Sequence, residues 1–447
     1  MKIVIAGAGA VGSHLAELLS AEKHDITVLD ERADRLNYLN QSCDLLTLQM
    51  PPMNISSLRE ADVNKADLFI AVMNDEARNL TSCMLASKLG AKKTVARVDN
   101  YEYTQPDNRE FFKGIGVSSI IYPEMLAGKE IAANIQRSWV RQWIEVQDGK
   151  LLLIGVKVRD AARLLNVPLM KLSAPDSPFH VVAIKRRGET LIPHGNDCIK
   201  SKDVVYFMTT PKYVSYIKEL VGKEDYPDVK NVVFLGGGGV VEQTLQYLPD
   251  YMHAKVFERD KERIEQISGN VDDRNVLFIN GDGTDLDLLI DEGLSTAQAF
   301  VAASGNSETN ILSCLTAKRN GVRKTVAMVE NSDLISMAES LDIGSILNKK
   351  TLAAGHIYQM MLKADITTVK KLTIAAADVA EIIVQAGSRA AKHAVKDLGL
   401  PSTMTLGGMV RGGKGYLING STQLEVGDVV VAFCIEGSLR QLEKFFK

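Results

Sequence analysis

Lys2–Gly12 reads KIVIAGAGAVG, and Val232–Glu242 reads VVFLGGGGVVE. Each stretch is a short β-branched run that enters a cluster of glycines and leaves toward a helical pattern. In the first, Gly7, Gly9 and Gly12 stand at the spacing G-x-G-x-x-G. A strand that turns at such glycines into a helix offers backbone N–H groups and a positive helix end to phosphate. The first glycine makes the turn, the second lets a pyrophosphate approach the backbone, and the third lets helix pack closely on strand. In the second stretch Gly236 and Gly238 keep the first two places, and Val241 stands at the third.

The likeness extends along the chain. Lys92–Asn100, KKTVARVDN, returns as Arg323–Asn331, RKTVAMVEN, at an offset of 231 residues. Asn79–Cys83 returns as Asn310–Cys314 at the same offset, and Lys202–Phe207 matches Gly427–Ala432 at an offset of 225. Two modules therefore occur twice in the same order, which is a tandem duplication. In the first module the runs IVIAG, ITVLD, LFIAV and TVARVD alternate with helical segments such as HLAELLSAE and NLTSCMLASKLG. Short β-branched strands with helices between them give right-handed βαβ crossovers and a parallel sheet. The second module instead shows alternating strands near Trp143–Val158 and Val181–Thr209, with turns at Asp148-Gly149 and Arg187-Gly188. A helical pattern returns there only at Tyr213–Val221.

The expected fold is α/β: two Rossmann-like parallel-sheet modules, each followed by a small α+β module. The expected boundaries are 1–122, 141–223, 229–346 and 364–447, with Asp225–Asp228 as the linker between halves. Helices over Ile131–Arg137 and Ile357–Lys363 are expected to join the first module to the second in each half.

Bulk properties narrow the function. The chain has 447 residues, a net charge of −3, 46% hydrophobic and 24% charged residues, which is ordinary globular composition. The small negative charge gives no basic footprint for nucleic acid. No apolar run approaches the ~18 residues of a membrane span, and a strand opening at Ile3 leaves no room for a secretory leader. The five cysteines are scattered without a C-x-x-C pair, so neither a disulfide framework nor a zinc site is expected, and a reducing cytoplasm fits. The seven histidines show no H-E-x-x-H.

Around the first glycine loop, Asp30 ends the second strand, 18 residues past Gly12. A carboxylate there accepts from ribose hydroxyls and repels a 2′-phosphate, favouring NAD or an adenine nucleotide over NADP. Val72–Glu76 lies at the carboxyl edge of the sheet, where open α/β folds bind ligands. Arg97 ends the next strand at that edge, placed either to contact a pyrophosphate or to pair with Asp99 or Glu102. In the second copy Glu258 takes the place of Asp30, and the polar turn Gly281–Asp285 replaces the apolar Met50–Met53. Against a second site stand Val241, expected to crowd the helix–strand contact, and Met328, which removes the charge of Arg97. A Rossmann-like core without ligand is the alternative reading of both copies.

A catalytic apparatus is not evident. Each Rossmann module is followed by a small domain without a His/Asp, Lys/Tyr or metal cluster, and His180 and His194 become Thr405 and Asn419 in the repeat. The chain is therefore expected not to be an enzyme but a ligand-driven switch. The motifs VIAGAGAVGSHLAELLS, ITVLDERADRL, FIAVMNDEARNL, ARVDN, FERDKERIEQI and INGDGTDLDLL resemble those of the tandem RCK (KTN) family, which includes the regulatory subunits of bacterial Trk potassium-uptake systems. That resemblance implies NAD(H) binding at the Rossmann modules, with ATP or ADP as further nucleotides. It implies a homo-oligomeric ring, dimer or tetramer, held peripherally at the inner face of the membrane under a Trk-type potassium channel subunit. It carries the first site onto Gly7, Ala8, Gly9, Ala10, Val11, Gly12, Asp30, Met73, Asn74 and Arg97. The second maps onto Gly236, Gly237, Gly238, Gly239, Val240 and Glu258. The family often has Thr where Met73 stands. The competing readings are an NAD-dependent oxidoreductase with a duplicated fold, a regulator of another potassium or cation transporter, and a nucleotide-free scaffold.

Overall fold

A computed structural model describes residues 1–21, 24–172, 177–271, 273–361, 366–371, 377–435 and 439–446. They divide into two compact units: residues 1–127 with 348–361, and residues 128–347 with 362–447.

The first unit is built on a parallel sheet of β1 (Lys2–Ala6), β2 (Asp25–Asp30), β3 (Leu46–Gln49), β4 (Leu68–Ala71), β5 (Thr94–Arg97) and β6 (Ser119–Ile121). Their order is β3-β2-β1-β4-β5-β6, the doubly wound order with its switch point beside β1. Ile3, Val4, Ile5 and Ala6 are fully buried, as a central strand covered on both faces must be. Val4, Leu29, Phe69, Cys83 and Phe112 form part of the core between the sheet and its helices.

In the second unit the same order returns in β12 (Asn231–Leu235), β13 (His253–Glu258), β14 (Val276–Asn280), β15 (Ala299–Ala302), β16 (Lys324–Met328) and β17 (Ser345–Leu347): β14-β13-β12-β15-β16-β17. Two antiparallel sheets accompany it. One contains β7 (Gln142–Val146), β8 (Leu151–Lys157), β9 (Phe179–Arg186), β10 (Glu189–Leu191) and β11 (Val204–Thr209), in the order β10-β9-β11-β8-β7. The other contains β18 (Ile366–Lys371), β19 (Ala377–Ile383), β20 (Met404–Arg411), β21 (Lys414–Leu417) and β22 (Val429–Ile435), in the order β18-β19-β22-β20-β21. Read from opposite ends, the two orders are identical. The two sheets share one core, in which Leu151, Leu153, Tyr206 and Met208 meet Val379, Val431 and Phe433.

The repeated Asp-Val-Val motif now has a physical reason. Arg186 donates two bonds to Asp203 (2.9 and 2.7 Å), and Arg411 donates two to Asp428 (2.8 and 2.6 Å). Each aspartate side chain is almost fully buried and also takes a backbone N–H of its own turn, from Lys200 and Glu425. A buried carboxylate is tolerated when its partner is bidentate and its remaining lone pairs are filled. The pair therefore fixes the turn that starts the central strand.

The joining helices depart from expectation. They run over Pro123–Ile135 and Lys349–Met361, starting eight residues earlier than the apolar periodicity predicts; Leu362–Lys363 lie outside the described residues. Proline favours the first helical turn, and the Asn348 side chain caps the second helix by accepting from the N–H of Lys350 and Thr351. They also do more than connect. Lys349–Met361 belongs to the first unit, where it lies against the helix Ala10–Ala21, and Lys349 pairs with Glu124 at 2.9 Å. In the second unit Gly128 rests on Gln243 and Thr244 so tightly that a Cβ would stand 2.8 Å from either.

Candidate nucleotide site

The first glycine loop leaves β1 at Gly7, whose φ of +106° lies in the left-handed region that glycine tolerates. The helix Ala10–Ala21 starts three residues later. The N–H groups of its first turn, from Ala10, Val11 and Gly12, have no acceptor within the helix and point out of its N-terminus. A Cβ on Gly12 would lie 1.9 Å from the Gly7 carbonyl oxygen, so the turn closes only around glycine. Ala8 and Val11 are buried beneath the loop.

Asp30 locks this loop from the end of β2. Its Oδ2 accepts from the Ala8 N–H at 2.7 Å and its Oδ1 from the Arg32 N–H at 2.9 Å. Each carboxylate oxygen has a second lone pair, so the group retains capacity for a ribose hydroxyl. Arg35 stands 3.6 Å from Asp30 Oδ2.

A cavity of about 170 Å³ opens at this edge of the sheet. It brings together Gly9, Asp30, Met73 and Asn74 with Arg35 and Arg78. The loop after β4 is pinned by Asn79, which accepts from the Met73 N–H (2.8 Å) and donates to the carbonyls of Met73 and Arg97 (both 2.9 Å). That explains why Asn79 recurs as Asn310: Asn310 holds Ser304 and the Met328 carbonyl in the same way. Arg97 is not among the residues lining the cavity. It donates to Asp99 at 2.8 Å, while its buried Nε has no hydrogen-bond partner.

Sequence reasoning passed over Arg35 and Arg78. The signal for Arg35 was present in ITVLDERADRL, one helical turn beyond Asp30, but nothing in a linear string says which way it points. Arg78 is held beside the cavity by an ion pair with Glu31.

The second loop keeps the frame. Gly236 has φ +95°, Glu258 Oε2 accepts from the Gly237 N–H at 2.6 Å, and the helix Gly239–Gln246 follows with Val240 buried in its first turn. Val241 is completely buried at the place of Gly12. Arg263, the counterpart of Arg35, donates from Nε to the Gly237 carbonyl (2.8 Å) and from Nη2 to Glu242 (2.6 Å). Gly237 is packed under Ile267 and Glu258, and Gly238 is exposed. The polar turn Gly281–Asp285 is occupied locally. Asp282 pairs with Arg259 at 2.6 Å, and Asp285 caps the helix Leu286–Asp291. Met328 is buried.

Of the two histidines singled out in the first small module, His180 is partly buried, desolvation lowers its pKa, and its Nδ1 lies 2.8 Å from the Ile418 carbonyl. Among the described residues no group of three or more His, Cys, Asp or Glu is arranged to hold a metal ion, and no helix is long and apolar enough to cross a membrane.

Comparison with known proteins fits this geometry. The TrkA-N domain model matches residues 3–123 and again 232–349, and the TrkA-C domain model matches 379–447. The Trk system potassium uptake protein TrkA of Halomonas elongata is 30% identical, over 100% of this chain and 99% of that protein. A TrkA homolog of Archaeoglobus fulgidus is 29% identical, over 100% of both. Among solved structures, the GsuK RCK domain matches with a TM-score of 0.61 at 14% identity, covering 100% of this chain and 94% of the other. The GsuK channel bound to NAD matches with a TM-score of 0.60 at 14% identity, covering 100% of this chain and 78% of the other. These last two likenesses speak for the fold alone. The matches to both Rossmann modules and to the last small module, with full-length relatives at this identity, make the chain a member of the TrkA family.

Proposed function

We propose that the chain is a nucleotide-binding regulatory subunit of a Trk-type potassium uptake channel, not an enzyme. The observation that carries the reading is the first glycine loop: Gly9, a ribose-ready Asp30 and Arg35 meet in one cavity, and the helix Ala10–Ala21 starts at the residue after Gly9. NAD(H) is the ligand favoured by the acid at Asp30, and ADP or ATP shares the same recognised parts. Gly7–Gly12, Asp30, Met73, Asn74 and Arg97 form the proposed first site, Arg97 at the same sheet edge but outside the lining of the cavity. Gly236–Val240 and Glu258 form the proposed second site. The proposed modules are 1–122, 141–223, 229–346 and 364–447.

The mechanism is coupling. Bound nucleotide shifts the population between two arrangements of the modules, and the homo-oligomer, dimer or tetramer, passes that shift to the membrane subunit it docks on. A nucleotide that bound both arrangements equally would shift nothing, so the site must differ between them. The proposed location is the cytoplasmic face of the membrane, by peripheral association.

Calorimetric titration with NADH, NAD+ and ADP tests the binding. Saturable binding weakened roughly a hundredfold in Asp30→Ala/Arg97→Ala, which removes two charge-assisted contacts, supports the first site. Equal affinity in that variant, with an unchanged melting temperature, sinks it. Co-purification with a Trk-type membrane subunit, then potassium flux with and without nucleotide, tests the role. Turnover of NADH with a panel of carbonyl substrates would replace the regulator by an oxidoreductase.

A further inference from the structure

The second unit holds a separate cavity of about 310 Å³, in which the first small module meets the second Rossmann module. Arg141, Lys157 and Arg159 enter it from the β7–β8 side. Lys318, Arg323 and Lys324 enter from the helix Ser307–Arg319 and the start of β16, and Lys223 closes a third side. Among the described lining residues there is no Asp or Glu. One carboxylate nearby, Asp342, gathers Arg141 (2.6 Å), Lys157 (2.9 Å), Lys318 (3.2 Å) and Arg159.

That leaves a large surplus of positive charge. Lys324 is 3% exposed and Lys223 7% exposed, and their ammonium groups donate to the carbonyls of Val140 (2.6 Å) and Trp139 (2.8 Å). Burial first, then the neighbouring Arg141 and Arg159, brings Lys223 down to about 7. Lys324 falls well below its ordinary value through burial, Arg141 and Lys223, with Glu130 acting the other way. Even with both lysines neutral, Arg141, Lys157, Arg159, Lys318 and Arg323 outnumber the carboxylates Asp342 and Glu130 that act on this cluster. A core that needed only packing would gain by apolar residues here, because buried charge carries a desolvation cost that partial pairing does not offset. Arg323 lies against the Tyr226 ring, 5.0 Å from its centroid, which holds its guanidinium at the cavity.

We propose that this cavity binds a small polyanion carrying two or more linked phosphoryl groups, and so clamps the first small module to the second Rossmann module. Its volume is at the lower end for ligand pockets and suits a di- or triphosphate better than a whole dinucleotide. Arginine forks and lysine ammonium groups from both modules would share the phosphoryl oxygens, each side holding the other through the ligand. The phosphate chain could be free or belong to a nucleotide. The site is distinct from both glycine loops and does not depend on either of them binding nucleotide.

The test uses the full chain in low salt, titrated with inorganic tripolyphosphate, ATP and adenosine. Heat and the fluorescence of Trp139, which lines the cavity, are the readouts. Tripolyphosphate is expected to bind saturably, with equal affinity in Asp30→Ala/Arg97→Ala and roughly tenfold weaker in Arg159→Gln/Arg323→Gln, which removes two charge-assisted contacts. ATP binding that survives in the Asp30→Ala/Arg97→Ala variant, with adenosine silent, assigns the phosphate chain to a nucleotide; tripolyphosphate binding alone assigns it to free phosphate. A second variant guards against mere unfolding. Asp342→Asn strips the built-in counter-charge, so its melting temperature should fall and tripolyphosphate should restore more of it than in the unaltered chain. Absence of a response up to millimolar tripolyphosphate, unchanged affinity in Arg159→Gln/Arg323→Gln, or no rescue of Asp342→Asn overturns the proposal.

Discussion

The two glycine loops share a backbone and differ in what fills them. Gly7 and Gly236 both turn with positive φ, and a carboxylate from the second strand of each sheet accepts the next N–H, from Ala8 or Gly237. The differences lie one layer out. In the first loop Gly12 leaves the helix in contact with the Gly7 carbonyl, and Arg35 remains at the cavity. In the second, Val241 is buried at that place and Arg263 is spent on the Gly237 carbonyl and Glu242. A duplicated frame can thus keep its geometry while its groups are diverted from ligand to self. Frame and ligand capacity are separate properties of the loop.

The strongest test exchanges the third position. Gly12→Val places a side chain where even a Cβ meets backbone at 1.9 Å, so the helix must move. A loss of about 3 kcal/mol or more, at the upper end for overpacking, and loss of nucleotide binding are expected from thermal melting and NADH titration. Unaltered melting would show that the loop adapts freely and that Val241 explains nothing about the second copy. The reverse change, Val241→Gly, should cost about 2–3 kcal/mol through a buried void and added helix entropy, without creating a tight site.

Next in size are the two pinning asparagines. Asn79→Ala and Asn310→Ala each leave buried backbone groups unpaired, which costs about 2–3 kcal/mol in either copy. Melting should therefore fall alike, whereas NADH affinity should fall much more in Asn79→Ala. Equal effects on affinity would mean that both loops hold nucleotide equally well and that the second site is not the weaker one. A smaller effect is expected from Arg263→Ala, about 1 kcal/mol for two partly exposed hydrogen bonds. By freeing the Gly237 carbonyl and Glu242 it should not strengthen nucleotide binding; a gain would mean that Arg263 is a latch over a competent site.

Much of this could be read in the string because it rests on local rules. Glycine at fixed offsets, an acid ending the second strand and β-branched runs at βαβ spacing all follow from backbone sterics and sheet burial. Asp203 and Asp428 stood out as repeats, yet their partners Arg186 and Arg411 lie 17 residues upstream on another strand, and only the antiparallel register brings them opposite. The turn Gly281–Asp285 was legible as polar but not as self-satisfied, because whether Asp282 faces a ligand or Arg259 depends on side-chain direction. The cationic cavity left no trace at all. Its residues are scattered from Arg141 to Lys324, and charge spacing along a chain says nothing about convergence across two modules.

Asp282 supplies the smallest and most selective test of the comparison. The hydrogen bond from Arg259, then those from the Thr284 hydroxyl and N–H, bring its pKa down to about 2. A folded-state pKa below the unfolded value, near 3.9, means that the contribution to stability is complete above about pH 4 and is lost as pH falls toward 2. The pair is open to solvent, with side chains 66% and 44% exposed, so screening limits its worth to about 0.5 kcal/mol. Asp282→Asn should therefore melt slightly below the unaltered chain at pH 6, and the gap should be about halved near pH 3, close below pH 2 and shrink in 1 M salt. The apolar counterpart Met50–Met53 carries no carboxylate, so that turn of the first copy has no equivalent of this acid dependence. A gap that persisted undiminished as pH falls to 2 would mean that Asp282 acts through the shape of its turn and not through its charge. The polar turn would then be a structural substitute for the prolines of the first copy, with no electrostatic part in the difference between the loops.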